Sequence, residues 1–147
     1  MMKGIVVYDS WTGNTRRIAE VIASGVKFNL VKVNDAPLDL REYEILVLGT
    51  PNIRAKPSEK ILDFMSKVTL PTKFAVFVTF GMPIWGVISS IICLNKMRKI
   101  LCQKGSKFAG QFMCPGFHVK YKTYKGKPSE KEFRDAREFS EYIIRRS

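Results

Sequence analysis

The chain has 147 residues, of which 46% are hydrophobic and 26% are charged, and its formal net charge is +12. These values exclude a disordered or fibrous chain and predict one compact domain spanning residues 1–147. Three cysteines without a C-x-x-C pair and a single histidine exclude the usual zinc-binding patterns. The surplus of positive charge is unusual, and it suggests an acidic protein, an anionic membrane or a nucleic acid as a partner.

The beginning of the chain predicts a cytoplasmic location. Residues 1–4 lead directly into an apolar strand, without the long apolar stretch and the small-residue cleavage site of a signal peptide. The longest apolar run, 82–94, contains a proline, a glycine and two serines and is too short to span a bilayer. We therefore expect no membrane-spanning helix.

Apolar runs and helical patterns alternate along the chain. Short apolar runs bounded by turn residues predict strands at 5–8, 28–33, 44–50, 74–79 and 108–114. Apolar residues at three- and four-residue spacing predict helices at 15–26, 58–65, 86–104 and 129–144. Between the second and third strands, 39–43 is too short for more than a turn or two of helix. This alternation predicts an α/β fold, a parallel sheet with helices on both faces.

Capping residues support three of the helix boundaries. Ser58 follows a proline and is a suitable N-cap for the second helix. Gly105 is suited to the left-handed conformation that ends the third helix. Residues 129–132, Ser-Glu-Lys-Glu, form a capping box for the fourth helix. Within the third helix, Cys93 and Cys102 are predicted to lie on opposite faces.

The loop between the first strand and the first helix is rich in hydrogen-bond donors. It consists of Ser10, Trp11, Thr12, Gly13, Asn14 and Thr15. A helix N-terminus offers free backbone N–H groups and a partial positive charge, so the loop predicts an anion site. Neither G-x-x-x-x-G-K-[ST] nor G-x-G-x-x-G is present, which favours a bound phosphate monoester that is not transferred. Simple capping of the helix by these residues is the alternative interpretation.

The segment from Val6 to Thr15, VVYDSWTGNT, resembles the signature of the flavodoxin family, a strand followed by [ST]-x-T-G-N-T. The resemblance implies a flavodoxin-like, doubly wound three-layer sandwich with a five-stranded parallel sheet of order 2-1-3-4-5. It also implies non-covalently bound FMN, whose phosphate lies in the loop. Ligands of such sheets bind outside the carboxyl ends of the strands, here expected at strands 1, 3 and 4.

The resemblance implies two further loops that flank the flavin ring. The first consists of Thr50, Pro51, Asn52, Ile53 and Arg54, at the end of strand 3. The second contains Thr79, Phe80 and Gly81 at the end of strand 4, with Trp85 at the start of the next helix. Either Phe80 or Trp85 is expected to stack on the ring. Core packing of Trp85 and an ordinary turn at Pro51 and Asn52 are the alternatives.

The function implied by the resemblance is that of an FMN-binding electron-transfer protein. A carrier is favoured over an enzyme because the sequence shows no activated nucleophile, metal-binding set or paired acid and base. An FMN-dependent reductase of a quinone or another small oxidant, including a protoporphyrinogen-oxidase-like enzyme, is one alternative. A flavin-free binding domain on the same fold is a second.

The charge distribution departs from the pattern of acidic flavodoxins. No Asp or Glu occurs between Asp63 and Glu130, and four lysines follow the fifth strand: Lys120, Lys122, Lys125 and Lys127. Positive charge stabilises a reduced, anionic ring, so we expect a flavin that is less strongly reducing than in acidic relatives. We also expect a redox protein partner with an acidic docking face. A solvated basic face without a partner is the alternative.

The remaining partner classes receive less support from the sequence. A nucleic-acid partner is not expected because no recognition motif accompanies the charge. The protein is expected to be a monomer or a weak dimer. Apolar positions that could contact a partner or a second copy, with core packing as the alternative, are Ile84, Val87, Ile88, Ile91 and Ile92.

Overall fold

The computed structural model describes residues 2–145, which form a parallel sheet between two layers of helices. The strands are β1 (Gly4–Tyr8), β2 (Asn29–Lys32), β3 (Ile45–Pro51), β4 (Lys73–Phe80) and β5 (Lys107–Pro115). The helices are α1 (Asn14–Val26), α2 (Glu59–Lys67), α3 (Trp85–Gln103) and α4 (Glu130–Arg145), with a 3₁₀ turn at Val33–Asp35. The strand order β2-β1-β3-β4-β5 confirms the expected order. Within residues 2–145, no helix combines the length and apolar character that crossing a membrane requires.

The centre of the sheet consists of β1, β3 and β4, whose residues are almost all buried. Side chains of a strand alternate between the two faces, so each central strand contributes to both apolar layers. Leu46 and Leu48 of β3 pack in the layer formed with α2 and α3. Ile45 and Val47 pack in the layer formed with α1 and α4. Burial on both faces explains why these strands are continuous apolar runs in the sequence.

The ring of Phe77 in β4 lies over Gly49 near the end of β3. Gly49 is the register partner of Phe77, and a Cβ atom on Gly49 would clash with the Phe77 ring. The absence of a side chain at Gly49 therefore leaves the space that the Phe77 ring occupies. The loop after β3 begins three residues after Gly49, where the carboxyl ends of the strands meet.

The predicted helix boundaries are confirmed by the hydrogen bonds at their ends. The Ser58 Oγ accepts from the Ile61 N–H at 3.4 Å, and the Ser129 N–H donates to the Glu132 Oε1 at 2.9 Å. Gly105, after α3, has a φ of 94°. Cys93 is buried and Cys102 is exposed, as their spacing on one helix predicts.

Candidate functional site

The carboxyl ends of the strands surround a cleft with a volume of about 440 Å³. This volume falls within the range of roughly 300–1,000 Å³ that is typical of ligand clefts. The cleft is lined by Trp11, Thr12, Asn14, Thr15, Pro51, Asn52, Ile53, Thr79, Phe80, Gly81, Phe117, His118, Val119 and Lys120. Ten of the residues predicted from the sequence are therefore brought together in one place.

The loop 10–15 is held open by its own hydrogen bonds. The Ser10 Oγ accepts from the Gly13 N–H at 3.1 Å and from the Arg16 N–H at 3.3 Å. Gly13 has a φ of 94° and directly precedes α1, and a Cβ at this position would meet no other atom within 4 Å. Gly13 itself provides no side-chain cap, and the Ser10 hydroxyl occupies one backbone donor of the first turn of α1, that of Arg16. The other donors of that turn and the positive end of the helix dipole are directed at the loop.

Two side chains of the loop connect it to distant parts of the chain. The Thr15 and Thr79 hydroxyl oxygens lie 2.8 Å apart in a buried hydrogen bond, which ties the loop to β4. The Asn14 Nδ2 donates to the Phe117 carbonyl at 3.0 Å, and a Cβ on Gly116 would lie 2.5 Å from that nitrogen. These bonds position the loop, and the Thr12 hydroxyl, on an exposed residue, stays available to a ligand.

Asp9 directly precedes the loop and does not line the cleft described above. Its N–H donates to the Gly49 carbonyl at 3.1 Å, and its side chain lines a separate cleft beyond Trp11 and Ile53. The carboxylate oxygen Oδ2 is buried and has no hydrogen-bond partner among the described residues. The carboxyl group of Asp9 is therefore not part of the cleft that contains Thr12 and Thr15.

The loop after β3 is anchored by Asn52. Its Nδ2 donates to the hydroxyls of Ser89 and Ser90 at 2.7 and 3.2 Å, and its Oδ1 accepts from the Ala55 N–H at 2.9 Å. Ile53 and Lys56 then bond to each other through both backbone groups. The two residues between them have positive φ angles, 52° and 67°, which makes this a tight two-residue turn. The turn holds Ile53 at the cleft wall.

The opposite wall is formed by Phe80 and Gly81. Phe80 is almost fully buried and contacts the Tyr124 ring edge-on, with ring centroids 5.7 Å apart. A Cβ on Gly86 would lie 2.9 Å from the Phe80 ring. Phe80 is thus packed into the fold, whereas Trp85 is 58% exposed. Trp85 is therefore not a core residue, and the alternative interpretation of Trp85 as core packing is wrong.

The segment 116–128 completes the wall, and the sequence prediction did not include it. The Thr123 hydroxyl donates to the Gly81 carbonyl, and the Gly116 N–H donates to the Phe80 carbonyl at 2.8 Å. A Cβ on Gly81 would lie 2.7 Å from the His118 ring. One sequence feature could have predicted this contribution. The segment follows the carboxyl end of β5, so it starts at the same end of the parallel strands as the predicted loops.

A second cleft, also of about 440 Å³, adjoins the first and shares Phe80, Gly81 and His118 with it. Of the predicted site residues, Arg54 and Trp85 line only this second cleft and not the first. Three other predicted residues line neither: Ser10, Gly13 and Thr50. Thr50 is buried, and its hydroxyl donates to the Pro51 carbonyl and accepts from the Ser58 N–H at 3.0 Å. Its position indicates that it connects β3 to the start of α2.

The four lysines after β5 differ in their surroundings. Lys127 is paired with Glu132, with 3.0 Å between the ammonium nitrogen and Oε1, while the other three are exposed. Burial alone would raise the pKa of Glu132, but hydrogen bonds from Ser129 and the charge of Lys127 lower that pKa to about 2. Lys120 lines both clefts, and its ammonium lies 5.4 Å from the Tyr121 ring centroid. The cleft is therefore bordered by positive charge.

Comparison with known proteins adds independent information on this arrangement. A family model described as "Flavodoxin domain" matches residues 5–125. A flavodoxin-like domain-containing protein of Clostridioides difficile, BilS, is 31% identical over 123 residues, which are 78% of this chain and 66% of that protein. The chain thus spans just under two thirds of the length of this relative.

Solved structures with the same architecture include two flavodoxins. One, from the domain Archaea, has a TM-score of 0.70 and 20% identity, with 99% of each chain covered. Flavodoxin 1 from Bacillus cereus in its oxidised state has a TM-score of 0.74 and 18% identity, with 97% of each chain covered. At these identities the likeness establishes the fold, and the details of the site depend on this chain's own residues.

Proposed function

The chain belongs to the flavodoxin domain family, whose cofactor is FMN, and we propose that it is an electron carrier with FMN bound at the carboxyl ends of β1, β3 and β4. The observation that carries the proposal is the loop 10–15. It bears the family's phosphate-binding motif, it leads into the N-terminus of α1, and it forms one end of a ligand-sized cleft. FMN supplies the one- or two-electron chemistry, and the protein supplies binding, orientation and electrostatics.

The residues of the loop fit a phosphate group. Gly13 leaves open space where a side chain would block access to the helix terminus, and the Thr12 hydroxyl adds a donor. Arg16 and Arg17 follow in the first turn of α1 and are exposed, and the Asn14 Oδ1 accepts from the Arg17 Nη2 at 2.8 Å. Backbone donors, a helix dipole and nearby guanidinium groups all favour an anion here.

The two walls of the cleft fit a flat, largely apolar ring. Ile53 on one side and Phe80 with Gly81 on the other provide apolar surface, and the tight turn after Ile53 and the packing of Phe80 keep both walls in position. The walls exclude water from the faces of a bound ring. Of the two aromatic residues predicted to stack on it, Phe80 belongs to the wall of this cleft, whereas Trp85 is exposed and lines the adjoining cleft.

A carrier is the function that these residues support best. Among residues 2–145, no group of His, Cys, Asp or Glu is arranged to hold a metal ion. Buried Cys93 and Cys114 are poor nucleophiles, because burial raises the pKa of each thiol to about 12. Three free cysteines agree with a reducing compartment such as the cytoplasm. The net charge of +12 favours a monomer or a weak dimer, since copies repel one another.

A reductase of a small oxidant is the second candidate, and the adjoining cleft is the observation that favours it. That cleft opens beside Phe80 and Gly81 and has room for a quinone-sized molecule. The two functions differ in turnover. A reductase oxidises NAD(P)H steadily when a soluble quinone is present, whereas a carrier does so only when a separate reductase is added.

Binding of FMN is tested with a variant of the loop. Thr12→Glu places a carboxylate beside the phosphate position and is expected to weaken FMN binding at least tenfold, because like charges repel in the loop. Riboflavin, which lacks the phosphate, is expected to bind the wild-type protein at least tenfold more weakly than FMN. Quenching of flavin fluorescence during titration measures both affinities.

The matched control is Thr72→Glu, which adds the same charge at an exposed position. Thr72 directly precedes β4, at the amino ends of the strands and away from the cleft. This variant is expected to bind FMN as tightly as the wild-type protein. Failure of the wild-type protein to bind FMN would contradict the proposed function. Equal affinity for FMN and riboflavin would contradict the assignment of the phosphate to loop 10–15.

A further inference from the structure

The first half of α3 exposes a row of large apolar side chains. Ile84, directly before the helix, is 79% exposed, Trp85 is 58% exposed and Ile88 is 48% exposed, and Ile91 and Ile92 continue the row. At about 100° per residue these positions share the outer side of the helix. The inner side, with Cys93, Leu94 and Met97 among others, packs against the sheet. This half of α3 is therefore apolar on both sides, although the sheet covers only one.

The apolar row is next to the flavin cleft and continues across the second cleft. Trp85 lines that cleft together with Tyr121, which is exposed, and Val119, which lines the flavin cleft, is exposed as well. Beyond Ile92 the outer side of α3 becomes polar, with Asn95, Lys96 and Lys99 exposed. The docking surface is defined here as Ile84, Trp85, Ile88, Ile91, Ile92, Val119 and Tyr121. An exposed apolar patch of this kind is typical of an interaction site.

The charges around the docking surface all have one sign. Arg54 and Lys120 line the second cleft, Lys122 follows Tyr121, and Lys96 and Lys99 border the row on α3. No carboxylate occurs anywhere between Asp63 and Glu130. A second copy of the chain would bring the same cations against each other. The surface therefore complements an occupant with an apolar centre and an acidic border.

The shape of the surface distinguishes between two anionic occupants. The second cleft lies between Trp85 and Tyr121, in the middle of the apolar residues, and has a volume of about 440 Å³. A protruding side chain of a protein can fill such a concavity, whereas the flat headgroup layer of a membrane leaves it empty. The geometry favours a protein.

We propose that an acid-rimmed redox protein docks on this surface, with apolar residues on α3 and a protruding side chain in the second cleft. The proposal rests on the proposed function, because it places the partner beside the bound flavin. Ile88 is the central residue of the row and lines neither cleft, so its replacement leaves the cofactor site intact.

The proposal is tested by stopped-flow kinetics with cytochrome b5 as an acidic haem protein. The FMN-loaded protein is reduced without oxygen and mixed with the ferric cytochrome, so that each electron lost by the flavin reduces one ferric iron to ferrous. The second-order rate constant of the wild-type protein is expected to fall at least tenfold between low and moderate salt. Ile88→Glu is expected to lower it about tenfold at low salt, and Ile88→Ser about threefold.

The matched control is Leu38→Glu. Leu38 is 50% exposed, and its carbonyl accepts from the Thr69 N–H just before β4, so it lies at the opposite edge of the sheet. This variant is expected to react within twofold of the wild-type rate, and all variants are expected to keep the wild-type FMN affinity. Ile91→Glu is measured in parallel, so that the result does not depend on the folding of one variant.

Four outcomes would overturn the proposal. If Ile88→Glu and Ile91→Glu bind FMN and react at the wild-type rate, the docking proposal is contradicted and the carrier function is unaffected. If the wild-type protein does not bind FMN, both the proposed function and the docking proposal are contradicted. Sedimentation with phosphatidylglycerol vesicles that is lost in Ile88→Glu would assign the surface to a membrane. A dimer that dissociates in Ile88→Glu would assign it to a second copy of the chain.

Discussion

Glu132 shows how one residue holds a charge inside the fold. The Ser129 N–H and hydroxyl both donate to its Oε1, at 2.9 and 2.6 Å, and the Lys127 ammonium pairs with the same carboxylate. Although burial by itself would raise the pKa of Glu132, these partners lower it to about 2. The charged carboxylate therefore stabilises the start of α4 and the end of the segment that borders the clefts.

Replacement of Glu132 by Gln is expected to destabilise the protein by about 1–2 kcal/mol at neutral pH. Because the pKa in the folded state lies below the unfolded value near 4.5, the stabilisation by the carboxylate is complete above pH 4.5. It is lost as the pH falls from 4.5 to 2, so the difference between wild-type and variant shrinks over that range. Urea unfolding at several pH values measures this difference.

Glu130→Gln serves as the control, because Glu130 is exposed and its ion pair with Arg137 lies at the surface. Its effect on the free energy of unfolding is expected to be small at every pH. A deficit of Glu132→Gln that stays constant from pH 7 to pH 3 would contradict the role assigned to the carboxylate.

Among the secondary-structure elements, α1 is central to the proposed cofactor site because it begins at the loop 10–15. Its C-terminal end is less regular. Lys27, the residue after α1, has φ 58° and ψ 41°, and its N–H donates to the Ala23 carbonyl. Glycine is the usual residue in this left-handed capping position, because a Cβ atom there is sterically unfavourable. Lys27 therefore introduces strain at the end of α1 that is remote from the loop.

Lys27→Gly is expected to stabilise the protein by about 0.5–1 kcal/mol, since it removes this strain while keeping the capping hydrogen bond. The control is Lys32→Gly, which removes the same charge from extended backbone at the end of β2. The control is expected to lose about 1 kcal/mol, because glycine gains more freedom in the unfolded chain. Thermal and urea unfolding measure the stability of the two variants. A lower free energy of unfolding in Lys27→Gly than in the wild-type protein would contradict the strain argument.

The whole molecule carries its positive charge unevenly with respect to the site. The span between Asp63 and Glu130 contains no acidic residue and supplies β4, α3, β5 and the segment 116–128. It therefore supplies one wall of the flavin cleft and all of the docking surface. Lys127 is neutralised by Glu132, but Lys120, Lys122 and Lys125 remain exposed. This distribution favours a reduced, anionic ring and an acidic partner at the same surface.

Lys120→Gln is expected to make the bound flavin harder to reduce. Each cation near the ring contributes roughly 1 kcal/mol to its negatively charged, reduced form, and salt screens this contribution. The midpoint potential of the variant should therefore be more negative at low salt and approach the wild-type value at high salt. Lys107→Gln, at the exposed start of β5 and the far edge of the sheet, is expected to leave the potential unchanged. Equal potentials for Lys120→Gln and wild type at low salt would contradict this account.

In place of the turn or two of helix allowed for 39–43, the structure has a 3₁₀ turn at Val33–Asp35. The five predicted strands and the four predicted helices agree with the structure to within two residues. They were predictable because burial of the central strands on both faces produces continuous apolar runs, and burial of one helix face produces a three- and four-residue repeat. For α3 the sequence predicted the two ends of the helix, but it did not show which of its apolar residues are buried and which are exposed. A helix that is apolar on both sides carries no periodic signal for which side is covered.

The sequence by itself determined the order of elements, the family, and the donor-rich loop 10–15, because these depend on short stretches of neighbouring residues. Tertiary structure decided which donors of that loop are used internally and which residues of 116–128 enter the cleft. It also decided that Lys127 is neutralised and that the isoleucines of α3 face solvent. These features depend on contacts between distant segments, such as Asn14 with Phe117, 103 residues apart, and no local pattern encodes them.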